Sequence, residues 1–120
     1  MKDIISFPIL GYDKENPLEG LVVGSVLCLE NDPNYGETAL AVKWDEQIIG
    51  YVPNRGRSCT SCFHHVSPED GYCSNCGASW EHFVDGGLST RIVLSKAKIC
   101  GCFIDKIEPG KLPMAKLILE

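Results

Sequence analysis

Two Cys-x-x-Cys pairs, Cys59-Thr60-Ser61-Cys62 and Cys73-Ser74-Asn75-Cys76, separated by ten residues, constrain this chain more than any other feature. Each pair bends the backbone into a knuckle whose two thiolates point the same way. Two facing knuckles then present four sulfurs about 2.3 Å from a shared centre, the closed structural geometry of zinc. Cys59, Cys62, Cys73 and Cys76 are accordingly the predicted ligands of one structural Zn2+ per chain. His64 and His65 follow the first knuckle, but with four cysteines in register they read as exposed residues of the tip loop.

Two other chemistries compete for those thiols. Iron in a rubredoxin-like site is the nearer rival, yet knuckles of that type carry glycine after the second cysteine on both sides. Here Gly77 fills that position in one knuckle and Phe63 in the other. Disulfides are the weaker reading, because seven cysteines is an odd count and the sequence opens Met1-Lys2-Asp3 without the apolar core of a secretory signal. Thiols kept for metal imply a reducing compartment, so the expected location is cytoplasmic.

The 120 residues suffice for one domain carrying a small insert. Apolar residues make up 44% and never run to the 18 needed to span a bilayer, so no membrane role is expected. The net charge of −5 is spread unevenly: residues 13–46 hold eight acids against Lys14 and Lys43, while residues 48–120 hold seven acids against eight Lys or Arg. Phosphate binding draws its affinity from Lys and Arg, so a nucleic-acid contact is expected in the second half, at Arg55 and Arg57 beside the first knuckle, with Lys96 and Lys98 as further cations.

The remainder reads as short strands. Residues 4–10, 21–29 and 38–44 are apolar, rich in β-branched side chains and closed by turn residues, and residues 47–52 follow Asp45-Glu46 as a hairpin. Residues 98–107 and 112–119 flank Glu108-Pro109-Gly110-Lys111 as a second hairpin. Residues 87–95 fit a short helix capped by Ser89 or, equally, a strand. The expected fold is therefore mainly β: a small antiparallel barrel over 1–55 and 91–120, interrupted by a zinc-ribbon insert over 56–90. Few residues of the insert can form a core, so its order depends on metal. Cys28, Cys100 and Cys102 read as small buried hydrophobes, with a second metal site shared by the three as the alternative, and Cys100 and Cys102 are expected on one strand face about 7 Å apart.

Residues 20–54 resemble the HIRAN domain. The family's acidic-Asp-Asn-Pro-Tyr-Asp loop corresponds to Glu30-Asn31-Asp32-Pro33-Asn34-Tyr35-Gly36, its Ala-x-x-Val to Ala39-Leu40-Ala41-Val42, and its Ile-Gly-Tyr-Val-Pro-Arg to Ile49-Gly50-Tyr51-Val52-Pro53-Asn54-Arg55. Gly11-Tyr12 is similar to its opening Gly-x-x-Tyr element, and residues 97–119 look like its closing strands. The resemblance implies a modified oligonucleotide-binding (OB-like) barrel that captures the 3′ end of single-stranded DNA, with tyrosines stacking on terminal bases and an aspartate holding the 3′-hydroxyl. Tyr35 matches the stacking tyrosine and Tyr12 the tyrosine of the opening element, whereas Gly36 stands at the aspartate position and Thr38 at a later asparagine. The resemblance thus carries the ring but not the group that reads the hydroxyl.

Two functions follow as expectations. One is a non-catalytic DNA-binding accessory module using Tyr12, Tyr35, Arg55 and Arg57. The other is an adaptor or inhibitor whose acidic lobe and zinc ribbon dock a larger protein. No Ser-His-Asp set, carboxylate pair or open three-ligand metal site is visible, which speaks against an enzyme. Trp44 and Trp80 are candidate stacking platforms, although a tryptophan beside a knuckle usually packs against it.

Overall fold

The computed structural model describes residues 3–67 and 69–120. They form three antiparallel three-stranded sheets and one short helix. The first sheet has the order β1 (Asp3–Pro8), β9 (Met114–Leu119), β8 (Ile99–Lys106). The second is the meander β2 (Cys28–Asn31), β3 (Leu40–Trp44), β4 (Gln47–Tyr51). The third, in the cysteine segment, has β5 (Arg57–Cys59) between β6 (His65–Val66) and β7 (Phe83–Asp85).

Alternation explains the first sheet. Ala115, Leu117 and Leu119 of β9 point inward beside Phe7 of β1 and Ile104 of β8, and the intervening residues are only partly covered. In β3 the three residues Leu40, Ala41 and Val42 are all buried, as suits the middle strand of its sheet. Apart from Ala41, these side chains share one core with Ile9, Tyr12, Leu21, Leu27, Ile49, Val52 and Ile92.

The two sheets also meet at their edges. Beyond β1, Leu10 exchanges backbone hydrogen bonds with Tyr51 of β4 at 3.0 and 2.8 Å. This approach requires a glycine at position 50, where a Cβ would lie 2.6 Å from the Leu10 carbonyl oxygen and 2.4 Å from Ile9. A bulge sits beside it, between Val42 and Lys43. On the opposite side residues 24–27 bond to β8: Gly24 N–H donates to Ile104 O at 2.8 Å and Leu27 N–H to Cys102 O at 2.8 Å.

Three local expectations need correction. Residues 21–29 are not one strand, because the chain turns at residues 22–25, where Ser25 N–H donates to Val22 O and Val22 N–H to Ser25 Oγ. Cys100 and Cys102 do not share a face. A bulge between Ile99 and Gly101 inserts an extra residue, leaving Cys100 exposed near Glu120 while Cys102 is buried. Cys28 is exposed as well, so the three do not form a common buried set. Residues 88–95 are helix α1 (Leu88–Ser95), with Ser89 inside it rather than at its cap. Ile92 joins the main core, so the helix begins within the span expected for the insert and packs outside it.

Candidate functional site

The two knuckles have the same backbone construction. Phe63 N–H donates to Cys59 O and Gly77 N–H to Cys73 O, both at 2.8 Å; Cys59 N–H donates to His64 O at 2.9 Å and Cys73 N–H to Ala78 O at 2.7 Å. The residue after the second cysteine is left-handed in both, with φ of 63° at Phe63 and 79° at Gly77. The Phe/Gly difference therefore does not make the knuckles geometrically different. An aromatic residue simply accepts a conformation that glycine takes without strain.

The sulfurs converge as the spacing predicts. All four Sγ atoms lie within 4.8 Å of one another, with Cys59–Cys76 at 3.6 Å and Cys62–Cys73 at 3.5 Å. A disulfide has its sulfurs about 2.05 Å apart. A tetrahedron with metal–sulfur bonds of about 2.3 Å has edges of about 3.8 Å, so the spacing fits four thiolates around one ion. Cys59 and Cys73 are buried with Val66 and Phe83 in a small core separate from the main one, Cys62 is half-covered and Cys76 exposed. Burial opposes ionisation of Cys62, but hydrogen bonds involving the Asn75 side chain, the His64 backbone and its fellow cysteines together hold its thiol below the usual range. For Cys76 the bond with the Ala78 backbone favours the thiolate, yet burial and the three other sulfurs prevail and push it up to about 12. Mutual repulsion of this kind is what a bound cation relieves.

The histidines stand apart from that set. His64 Nδ1 is 3.1 Å from Cys62 O and 3.2 Å from Asn75 Nδ2, and the His65 ring covers Gly56. Among the described residues, the four cysteines are the one metal-competent group of three or more side chains. Trp80 does not pack on the knuckles: it is 60% exposed, as is Tyr72 at 65%. Trp44 packs against the main core.

The insert is fastened to the β body through polar groups that local sequence does not reveal. The N-terminus of α1 receives no capping bond from its own Gly87. Instead Asn54 Oδ1 accepts from Gly87 N–H at 2.8 Å, Thr90 N–H at 2.9 Å and Thr90 Oγ1 at 2.9 Å. Ser89 Oγ donates to Thr38 O, and Ser58 Oγ of β5 donates to Gly86 O at 2.8 Å. Glycine is obligatory at position 87, where a Cβ would lie 2.3 Å from Arg55 O.

Of the residues expected to touch DNA, the structure treats each differently. Tyr12 is buried in the core, its hydroxyl accepting from Leu18 N–H at 2.8 Å, so no ring face is open to a base. Arg57 is half-buried: its guanidinium lies 5.9 Å from the Phe83 ring centre, donates to Phe83 O at 3.3 Å and faces Asp85 at 3.4 Å in an ion pair that lacks hydrogen-bond alignment. Arg55 is exposed. Tyr35 is 70% exposed and its ring centre lies 4.4 Å from that of Tyr51, the planes tilted by 42°.

Tyr51 and Asp32 complete that surface. Tyr51 Oη donates to Asp32 Oδ2 at 3.0 Å, and burial, followed by the bonds to Asp32 and Tyr35, pushes its hydroxyl up to about 12. Asp32 Oδ1 accepts from Asn34 N–H at 3.1 Å, and Asn31 Nδ2 donates to Glu37 O and Ala39 O. The loop presenting Tyr35 is thus braced from both ends. The aromatic pair joins the β2–β3 loop to β4, and the signal that could have found it is the tyrosine of the Ile49-Gly50-Tyr51 motif.

Compared with known proteins, the chain matches no protein family, no curated protein and no solved structure.

Proposed function

We propose that this chain is a non-catalytic zinc-binding module that engages single-stranded DNA, with Tyr35 and Tyr51 as its stacking surface and Arg55 as a phosphate contact. The observation that carries this reading is the open Tyr35 ring braced against Tyr51 on an otherwise polar loop. Exposed aromatic faces gain about 1–3 kcal/mol per stacked base. Zinc is the metal we assign to the four cysteines, since a closed tetrathiolate set leaves no position for substrate; when bound, zinc would cross-link the knuckles and order the insert. The paired edges of the two main sheets support a small HIRAN-like barrel as the architecture.

The test is fluorescence anisotropy with a labelled oligothymidine at low salt. The expected dissociation constant is about 10⁻⁴–10⁻⁶ M, because few cations are available to contact phosphates, and it should rise with salt only by the share those few contacts carry. Because Gly36 replaces the hydroxyl-reading residue, free and blocked 3′ ends are expected to bind alike. Tight binding selective for a free 3′ end would refute that expectation.

One observation favours a protein partner instead. Val22, Val23 and Val26 are 59%, 61% and 77% exposed within the acidic segment, a surface suited to an apolar segment flanked by basic residues. Absence of single-strand binding at low salt would transfer the assignment to this adaptor reading.

A further inference from the structure

The lysines of this acidic chain are not concentrated at the tyrosine pair. Lys14 from the β1–β2 connection, Lys106 from the end of β8 and Lys111 from the β8–β9 turn line one cavity of about 440 Å3, with Pro8, Leu112 and Met114 among its other walls. One carboxylate lies among them: Glu108 is 2.8 Å from Lys106 Nζ and 3.2 Å from Lys111 Nζ. The hydrogen bonds from Lys106 and Lys111 hold that carboxyl below its usual range, so it stays ionised. Asp105, the nearest other acid on β8, pairs with Lys116 at 3.4 Å. The cavity lining therefore keeps an excess of two positive charges in a chain whose net charge is −5.

The wall beside these cations is apolar. A second cavity, of about 340 Å3, shares Lys14, Glu108, Gly110 and Lys111 and adds Pro17, Ile107, Pro109 and Pro113. Turn geometry needs Pro109 and Gly110 but not three converging lysines. Glu108 bridges Lys106 and Lys111 and offsets one of the three charges, leaving an excess that a second anion would offset, and lysine binds phosphate as a point charge. The proline and isoleucine lining suits a ring or other apolar body attached to that anion.

We propose that this groove binds a phosphate group carried on a planar, apolar body, the chemistry of a nucleotide, at a site separate from Tyr35 and Tyr51. The phosphate has two sources: a free nucleotide, or a nucleotide within a strand. Only the second rests on the DNA-binding reading above.

The experiment is amide NMR of the metal-loaded full chain titrated separately with adenosine monophosphate, adenosine, and an oligothymidine lacking a terminal phosphate. Shifts at Gly110, Lys111 and Lys14 with the monophosphate but not adenosine support a free nucleotide; shifts at the same amides with the strand alone support a strand phosphate. In the Lys106→Gln/Lys111→Gln double variant those shifts should shrink, and where the strand is the ligand its salt slope should fall by about 1 for each lysine removed. Both side chains are largely exposed, at 63% and 73%, so the variant is expected to fold. No response at the turn to any probe, or an identical response in the double variant, would overturn the proposal. Tyr35 and Tyr51 signals report the other reading independently: silence there with the oligothymidine, alongside monophosphate shifts at Gly110, would sink the tyrosine site and leave the groove standing.

Discussion

Asn54 does more for this fold than its place after Val52-Pro53 implies. One side-chain oxygen serves three donors at the start of α1, across more than 30 residues of sequence. Asn54→Ala should cost about 1–2 kcal/mol, the range for losing a helix cap, as read from urea denaturation. Asn54→Asp, which keeps the acceptor, should recover most of that loss. Cys73→Ser should sharply lower bound metal by elemental analysis; undiminished zinc in that variant, or red iron-loaded native protein, would refute the zinc assignment. Phe63→Gly should leave metal content unchanged, because the knuckle already holds a glycine-like conformation there. The four cysteines were legible because each knuckle is a local unit of four residues. Asn54, Tyr51 and the burial of Tyr12 were not, because their roles depend on partners brought together by strand pairing.

At the level of elements, the hairpins were readable from turn chemistry and alternation. Asp45 and Glu46 close β3 and β4 with φ of 52° and 63°, both left-handed without glycine. Replacing the pair by Asn-Gly should raise stability by about 1 kcal/mol, measured by thermal unfolding, since these residues favour that turn. Bulges were harder to read. An inserted residue reverses the side-chain alternation after it, which is why Cys100 and Cys102 part company and why no period-two reading of β8 could place both. Among the described residues, the insert's buried apolar core is Cys59, Val66, Cys73 and Phe83, half of it thiol, whereas the β body has a large apolar one. Chelation should therefore raise amide exchange across β5–β7 and the knuckles while β1, β3, β8 and β9 stay protected. Uniform loss of protection along the chain would show one cooperative unit instead.

For the whole molecule, charge and shape determine which partner is reasonable. Residues 13–46 hold eight acids, the exposed valines belong to the same segment, and the lysine groove lies beside the β8–β9 turn. A single strand held at Tyr35 must approach through its bases, with phosphates kept away from the acidic segment; this accounts for an expected affinity set by stacking more than by charge. Sequence could apportion charge between segments but could not say which surfaces those segments form. Hydrogen exchange of the metal-loaded protein with and without an oligothymidine at low salt tests the proposed function most directly. Single-strand binding at the tyrosine pair predicts added protection centred on residues 31–36 and 47–51. No change at those residues at saturating strand concentration would contradict it.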